Sequence, residues 1–107
     1  MSERLIVVLS PRARRDIIEV LAYTRDQWGV PKALEYATLT REAIAAIASE
    51  PQSGKSRDDI RPGVLAYHIS QPGRRARHFL FYRIDTSGTV EIVRFLHDAM
   101  DFARHLP

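Results

Sequence analysis

The last fourteen residues, RFLHDAMDFARHLP (residues 94–107), concentrate the side chains of this chain that are best able to do chemistry. They include two histidines, two aspartates and two arginines. Imidazole and carboxylate groups can exchange protons or bind a metal, and guanidinium groups can hold a phosphate. The stretch therefore predicts a metal site, an acid–base centre, or the polar residues of a short helix that closes the fold.

A metal site would need a third ligand beside His97 and Asp101, and no acidic or histidine cluster stands out elsewhere in the sequence. Asp98 and Asp101 have the spacing of an acidic cap at a helix start, while Arg104 and His105 suit the negative helix end. We therefore predict a short helix over residues 98–106, with no metal and no other cofactor.

A metal-free ribonuclease would need a base, an acid and cations that hold the phosphate. The chain has the residue types, but it contains no nucleophile elbow, no phosphate-binding glycine loop and no recognised catalytic spacing. No catalytic residue is assigned on this basis. The residues that could supply such chemistry are Tyr82, Arg83, Arg94, His97 and Arg104.

A second group of cations lies at a predicted hairpin turn, where Arg74, Arg75 and Arg77 precede His78. Such a turn could bind phosphates or an acidic protein surface, or it could be an ordinary charged turn. The chain's net charge of +3 lies entirely in residues 60–107, which also contain all 4 histidines. This half of the chain favours an anionic partner.

The elements that must position these residues follow from the hydrophobic periodicity, which is helical up to residue 50 and extended beyond residue 63. Ser10 and Pro11 predict a helix start, and Gly29 predicts the turn between two antiparallel helices. The order is typical of an α+β fold with an antiparallel meander. The predicted elements are a strand at 5–9, the helix hairpin, strands at 64–70, 78–85 and 90–97, and the closing helix.

The length of 107 residues predicts a single domain spanning 1–107. The chain has no cysteine, which excludes disulfides and thiolate zinc sites. The early apolar run at 5–9 is too short for a membrane span, so a cytoplasmic protein is expected.

The last two predicted strands are apolar on both faces, with Phe79 and Phe81 opposite Leu80 and Tyr82. The same alternation places Phe95 opposite Ile92. A sheet with one wet face should alternate more cleanly. Because a nine-residue tail cannot cover a whole sheet, we expect a partner to cover much of the second face.

Five segments in this order resemble ParE-type toxins of the ParE/RelE superfamily of type II toxin–antitoxin systems: SPRARRDIIEVLAYTRDQWGVPKALEY, ASEPQSGK, DDIRPGVLAYHI, RHFLFYRI and VEIVRFLHDAMDFARHL. The most specific pieces are the Tyr-Thr…Trp-Gly pattern that ends the first helix, the Phe-Tyr-Arg strand and the Leu-His…Met-Asp…Arg-His-Leu ending. The resemblance covers nearly the whole chain.

The resemblance implies a helix hairpin on a curved antiparallel sheet, and a small ParD-like antitoxin whose flexible C-terminal part wraps the toxin in a hetero-oligomer. ParE-like members are regarded as DNA gyrase inhibitors that trap the cleaved DNA complex, so nucleic acid would be contacted only indirectly. RelE-like members instead cut messenger RNA in the ribosome. The ending and the lack of a tyrosine after Tyr82 favour the ParE branch, and a non-enzymatic toxin.

Two sets of site residues are predicted. The apolar candidates for antitoxin contact are Trp28, Phe79, Phe81 and Phe95. The candidates that face the target are Arg74, Arg75, Arg77, Arg83, His97, Arg104 and His105.

Overall fold

The structure, a computed structural model, describes residues 5–107. Its two helices, α1 and α2, form a hairpin on one face of a sheet of five strands, β1 to β5. Within the described residues, neither helix is both long and apolar enough to cross a membrane. In chain order the elements are β1 (Val7–Leu9), α1 (Pro11–Trp28), α2 (Val30–Ser49), a 3-10 turn (Pro51–Ser53), β2 (Lys55–Ser56), β3 (Leu65–His68), β4 (His78–Ile84), β5 (Val90–His97) and a second 3-10 turn (Phe102–Arg104).

The strand order across the sheet is β1-β5-β4-β3-β2. The first strand runs parallel to β5, and the other neighbours are antiparallel. The predicted α+β class, helix hairpin and three-stranded meander are confirmed. The short strand β2 lies between residues 50 and 63, where the sequence predicted no element, and it extends the sheet by one strand.

The predicted start of α1 is confirmed in detail. The Ser10 hydroxyl accepts a hydrogen bond from the Ala13 N–H and donates one to the Val93 carbonyl, both at 3.0 Å. The cap therefore satisfies a free helix N–H and also ties the helix to β5. Gly29 then joins the helices with a φ of +93°, a conformation that L side chains rarely adopt.

A bulge in β5 changes which of its side chains face the helices. Phe81 pairs with Arg94, but the next residue, Tyr82, pairs with Ile92, so one residue of β5 is left over. Ile92 and Phe95 consequently both join the core beneath the helices. The predicted placement of Phe95 on the face opposite Ile92 is wrong, because strict alternation holds only for an unbulged strand.

Hydrophobic cores lie on both faces of the sheet. The larger core is between the helices and the sheet, and it includes Leu39, Ile47, Leu80 and Tyr82. The second core is on the opposite face, and it consists of Val64, Ala66, Phe81, Val93, Leu96 and Leu106, with Ile60, Phe79 and Phe102 packed against it.

The expectation that the second sheet face is left open for a partner is therefore wrong where β3, β4 and β5 form that face. Phe81 is 0% exposed and Phe95 is 2% exposed, the first beneath the chain's own cover and the second beneath the helices. Phe102 and Leu106 supply part of that cover, and Ile60 in the preceding loop supplies another part. The loop therefore adds to the nine-residue tail the cover that the tail alone could not supply.

The closing segment, residues 98–107, contains less helix than predicted. It has one 3-10 turn, and Asp101 at the start of that turn makes no side-chain capping bond. The segment is held instead by arginines that donate to its carbonyl oxygens. These bonds run from Arg61 to Ala103 at 2.9 Å, from Arg94 to His105 at 2.6 Å and from Arg83 to Pro107 at 3.3 Å.

Candidate partner-binding groove

A groove of about 470 Å³ lies where α1 crosses the end of β5. Its walls come from one side of α1, the start of α2, the β3–β4 hairpin and the closing segment. Four of the seven residues predicted to face the target line this groove, although they are distant in sequence from α1. These four are Arg75, Arg77, His97 and His105.

Three large apolar side chains of the groove are left exposed. Tyr23 is 64% exposed, Trp28 is 73% exposed and Met100 is 44% exposed. Aromatic and methionine side chains that are exposed together at a concave site are typical of protein-binding surfaces. The exposed apolar surface that sequence analysis placed on the sheet is therefore found in this groove, at the helix hairpin.

The groove also has a basic rim. Arg75 is exposed and makes no ion pair within residues 5–107. Arg77 donates from Nε and Nη2 to both carboxylate oxygens of Asp98 at 2.9–3.1 Å. Lys32 stands 3.6 Å from Glu35 and is half-exposed. The rim thus combines the guanidinium of Arg75, which has no ion-pair partner among residues 5–107, with Arg77 and Lys32, whose charges are only partly neutralised by their acidic partners.

A buried ion pair fixes the floor of the groove. Asp16 on α1 accepts from Arg94 Nε at 2.7 Å and from Arg94 Nη2 at 3.1 Å. The same carboxylate accepts from the Phe95 N–H at 3.0 Å, just past the β5 bulge. Because Arg94 Nη1 bonds the His105 carbonyl, one side-chain pair connects α1, β5 and the closing segment.

A tyrosine and a histidine pack against the floor beside this ion pair. Tyr36 Oη lies 2.5 Å from His78 Nδ1 and accepts a bond from the Arg77 N–H at 2.9 Å. Which of Tyr36 and His78 donates in this contact depends on the tautomer of the imidazole. Burial, with a further contribution from nearby His97, lowers the pKa of His78 to about 4. His78 is therefore neutral at physiological pH, and burial is also the main cause that raises the pKa of Tyr36.

His97 occupies the outer end of the same cluster. Its Nδ1 accepts from the Ala99 N–H at 3.0 Å, and its ring meets the His78 ring edge-on at 5.1 Å between centroids. With Nδ1 used as an acceptor, Nε2 carries the proton of the neutral ring. The side chain is 38% exposed, so it can donate to a bound partner.

The remaining residues predicted to face the target lie outside the groove. Arg74 bonds Glu42 of α2 at 3.2 Å. Arg83 lines a second, more open cavity beside the Pro107 carbonyl. Arg104 is exposed on the closing segment.

Two of the residues that could have formed a ribonuclease centre are committed to other contacts. The Tyr82 hydroxyl is committed to the Pro51 carbonyl at 2.7 Å and to the Gly54 N–H at 2.9 Å. Arg94 is committed to Asp16. Within residues 5–107, no three histidine, aspartate or glutamate side chains are grouped so that they could hold a metal ion.

Of the four predicted antitoxin contacts, only Trp28 lies in the groove with substantial exposure. Phe79 is half-buried against the Phe102 ring, 5.7 Å away between centroids. Phe81 and Phe95 present almost no surface. Sequence reasoning missed the contribution of Tyr23, although its position outside the apolar stripe of α1 was a usable signal.

Comparison with known proteins agrees with this architecture. The sequence model of the ParE toxin of the type II toxin–antitoxin system parDE matches residues 7–102. Toxin ParE1 of Mycobacterium tuberculosis is 40% identical over 106 residues, which are 99% of this chain and 100% of that protein. Toxin ParE1 of Caulobacter vibrioides is 35% identical over 98 residues, which are 92% of this chain and 94% of that protein.

Two solved structures have the same fold. A chain of the chromosomal ParDE toxin–antitoxin system of P. aeruginosa superposes with a TM-score of 0.72 at 17% identity, over 88% of this chain and 96% of that chain. A chain of the RelBE2 toxin–antitoxin complex of Mycobacterium tuberculosis superposes with a TM-score of 0.58 at 27% identity, over 88% and 98% of the two chains. The protein belongs to the ParE toxin family of type II toxin–antitoxin systems.

Proposed function

We propose that this toxin inhibits DNA gyrase without cutting a substrate, and that a cognate ParD-like antitoxin neutralises it by occupying the groove. The groove carries the proposal, because it is the place where exposed Tyr23 and Trp28 meet the basic side chains of the β3–β4 hairpin. The gyrase target is carried over from the ParE resemblance. Such a target also implies a cytoplasmic protein.

The chemistry of the groove specifies the antitoxin segment. Apolar side chains at helical spacing would pack against Tyr23, Trp28 and Met100. Acidic side chains beside them would pair with Arg75 at the rim. A segment of this kind can be disordered when free and can fold in the groove, which agrees with the wrapped C-terminal part that the resemblance implies.

A non-catalytic mode of action fits the commitments of the polar side chains. The buried Asp16–Arg94 pair satisfies its own hydrogen bonds, and the Tyr82 hydroxyl is held by backbone groups. What the groove offers to a target is surface and charge. Binding and trapping a protein–DNA complex requires no more than that.

The test is a supercoiling and cleavage assay with purified toxin, DNA gyrase and relaxed plasmid. We expect lost supercoiling or more cleaved DNA as the toxin concentration rises, and restored activity when the cognate antitoxin is added in equimolar amount. Unchanged supercoiling and cleavage at high molar excess of toxin would contradict the gyrase target.

A ribosome-dependent endoribonuclease, the activity of the RelE branch, is the alternative outcome. Primer extension on translated messages after toxin induction would show discrete cuts within codons. Such cuts, in cells whose plasmids remain normally supercoiled, would replace the proposal. Intact messages in growth-arrested cells would remove the alternative.

Two variants locate the antitoxin. Trp28→Ala should lower antitoxin affinity at least about tenfold, because exposed tryptophans at interface centres are frequent hot spots. Ile18→Ala is the matched control, since Ile18 is on the same helix and is 61% exposed but lies outside the groove. Isothermal titration with both variants measures the difference. Equal affinities would place the antitoxin elsewhere on the toxin.

A further inference from the structure

At the β1 edge of the sheet, apolar side chains are exposed on the face that carries the second core, because that core does not extend as far as β1. Leu5, Val7 and Leu9 pack against the core beneath the helices. Ile6 is 69% exposed and Val8 is 43% exposed, and neither belongs to the core on the opposite face. The cover that shields Phe81 therefore ends before it reaches β1.

The backbone of β1 is also unpaired along its outer side. The Val90 N–H donates to the Ile6 carbonyl at 2.9 Å, and the Ser10 N–H donates to the Ile92 carbonyl at 2.9 Å. This alternation points the N–H and C=O groups of Val7 and Leu9 away from β5. Within residues 5–107, β5 is the only strand that pairs with β1.

Edges of this kind are usually protected, because unpaired backbone groups beside apolar side chains recruit another strand. A very short strand, charged side chains and prolines are the common protections; β1 has only 3 residues, but residues 5–10 are all uncharged and contain no proline. We propose that β1 pairs with β1 of a second copy of this chain, antiparallel, about a two-fold axis that passes beside Val8.

The hydrogen-bonding pattern is complementary to itself in this register. Val7 would exchange two bonds with Leu9 of the second copy, and Leu9 would exchange two with Val7, which uses all four groups that point outward. The next pair along would be Leu5 opposite Pro11. The Leu5 N–H is already donated to the Ala48 carbonyl at 2.9 Å, and proline has no N–H. Pairing therefore stops where the donors run out.

Side chains in this register also match. Val8 would face Val8 across the axis, and Ile6 would face Ser10, on the face where both apolar side chains are now exposed. A strand without charges does not repel a copy of itself, and it has no charge by which an unlike partner could be selected. Charge selection is instead available at the groove, where Arg75 and Arg77 lie.

Sedimentation equilibrium of the full-length toxin measures this contact. Four backbone bonds and two apolar side chains from each copy make a small interface, so we expect a dissociation constant on the order of 100 μM. Val8→Lys should raise that constant at least about tenfold, because two ammonium groups would face each other on the axis. Leu34→Lys, at a 63% exposed position on α2, should leave it unchanged.

A charge-swap pair tests the register itself. Val8→Lys and Val8→Glu should each be monomeric when alone, and an equimolar mixture should form dimers again. Circular dichroism of each variant verifies that both are folded. A wild type that stays monomeric well above the expected constant, or folded variants whose mixture does not associate, would overturn the proposal.

The other occupant of this edge would be a strand of the antitoxin. That outcome would appear as a Val8→Lys variant that binds antitoxin more weakly while its self-association equals that of the wild type. It would overturn pairing between copies. Unchanged antitoxin affinity together with lost self-association is the result that supports the proposal.

Discussion

Replacing Asp16 with asparagine isolates the interaction that holds the groove floor in place. The Asp16 side chain is 6% exposed and the Arg94 side chain is 10% exposed, and two short hydrogen bonds join them. Asparagine has nearly the same shape and can still accept from the Phe95 N–H. It removes the negative charge and directs an amide group toward the guanidinium.

The expected cost follows from leaving Arg94 buried without its counter-ion. Removing one partner of a buried pair typically costs about 3–5 kcal/mol, and the retained bond to Phe95 places Asp16→Asn at about 3 kcal/mol. For a domain of this size, about 1 kcal/mol lowers the midpoint of thermal unfolding by about 4 °C. The variant should therefore unfold about 12 °C below the wild type.

Thermal and urea unfolding followed by circular dichroism measure the effect. Arg12→Ala is the control, because Arg12 is half-exposed and 3.5 Å from Asp16, and it should cost less than about 0.5 kcal/mol. In the double variant Asp16→Asn/Arg94→Met, the two losses should fall short of additivity by at least about 1 kcal/mol. Additive losses, or a cost for Asp16→Asn no larger than that of Arg12→Ala, would refute the reasoning.

Three further predictions concern other parts of the fold. Since the pKa of His78 is lowered to about 4 in the folded state, the unfolded chain binds more protons as the pH falls from about 6.5 to 4. The wild type should therefore lose about 2 kcal/mol of stability in that range, a figure reduced because His78 is partly exposed, and His78→Gln should not show this loss. Urea titrations at the two pH values measure the difference. Gly54→Ala should cost about 1–3 kcal/mol in the same assay at neutral pH, because the added methyl overlaps the fixed Tyr82 ring and hydroxyl; a smaller loss would mean that Tyr82 moves freely. Phe81→Ala should cost about 3–5 kcal/mol, whereas Trp28→Ala should change stability by less than about 0.5 kcal/mol; equal losses in thermal melts would contradict the burial difference.

The sequence predicted the elements well wherever one local signal determined the outcome. Ser10 before Pro11 sets the start of α1 through a hydroxyl that reaches the backbone three residues on. Gly29 permits the positive φ between the helices. The strand predicted at 90–97 has the observed bounds of β5. Short-range chemistry of this kind is fully contained in the chain order.

Features that depend on distant residues could not be read in the same way. The backbone just past the bulge in β5 is held by the carboxylate of Asp16, which is 79 positions from Phe95 and whose only partner visible from local spacing is Arg12, at i,i+4. That i,i+4 contact exists, but it is the outer and longer one. In a strand without the bulge, Ile92 and Phe95 would lie on opposite faces of the sheet, and only one of them could face the helices.

The predicted site residues divide for the same reason. Arg75, Arg77 and His97 meet in the groove because the β3–β4 hairpin and the end of β5 lie side by side, as the predicted meander required. Arg74, between the same strands, turns to Glu42 on α2 instead. Which side of a hairpin a side chain takes depends on a neighbour in space that one sequence does not show.

Because the phenylalanines of the sheet are buried, the exposed apolar surface that a partner could cover lies at the helix hairpin. A partner on the sheet would have to displace Phe102 and Leu106 together with the neighbouring His105 carbonyl that Arg94 bonds, and so would compete with the toxin's own fold. A partner in the groove displaces only water from Tyr23 and Trp28, and it gains apolar burial without unfolding anything. Neutralisation through the groove should therefore leave the toxin's far side unchanged, so hydrogen exchange in the complex should slow in α1 and leave β3 as it is in the free toxin. Faster exchange in the closing segment on antitoxin binding would show that the cover is displaced after all.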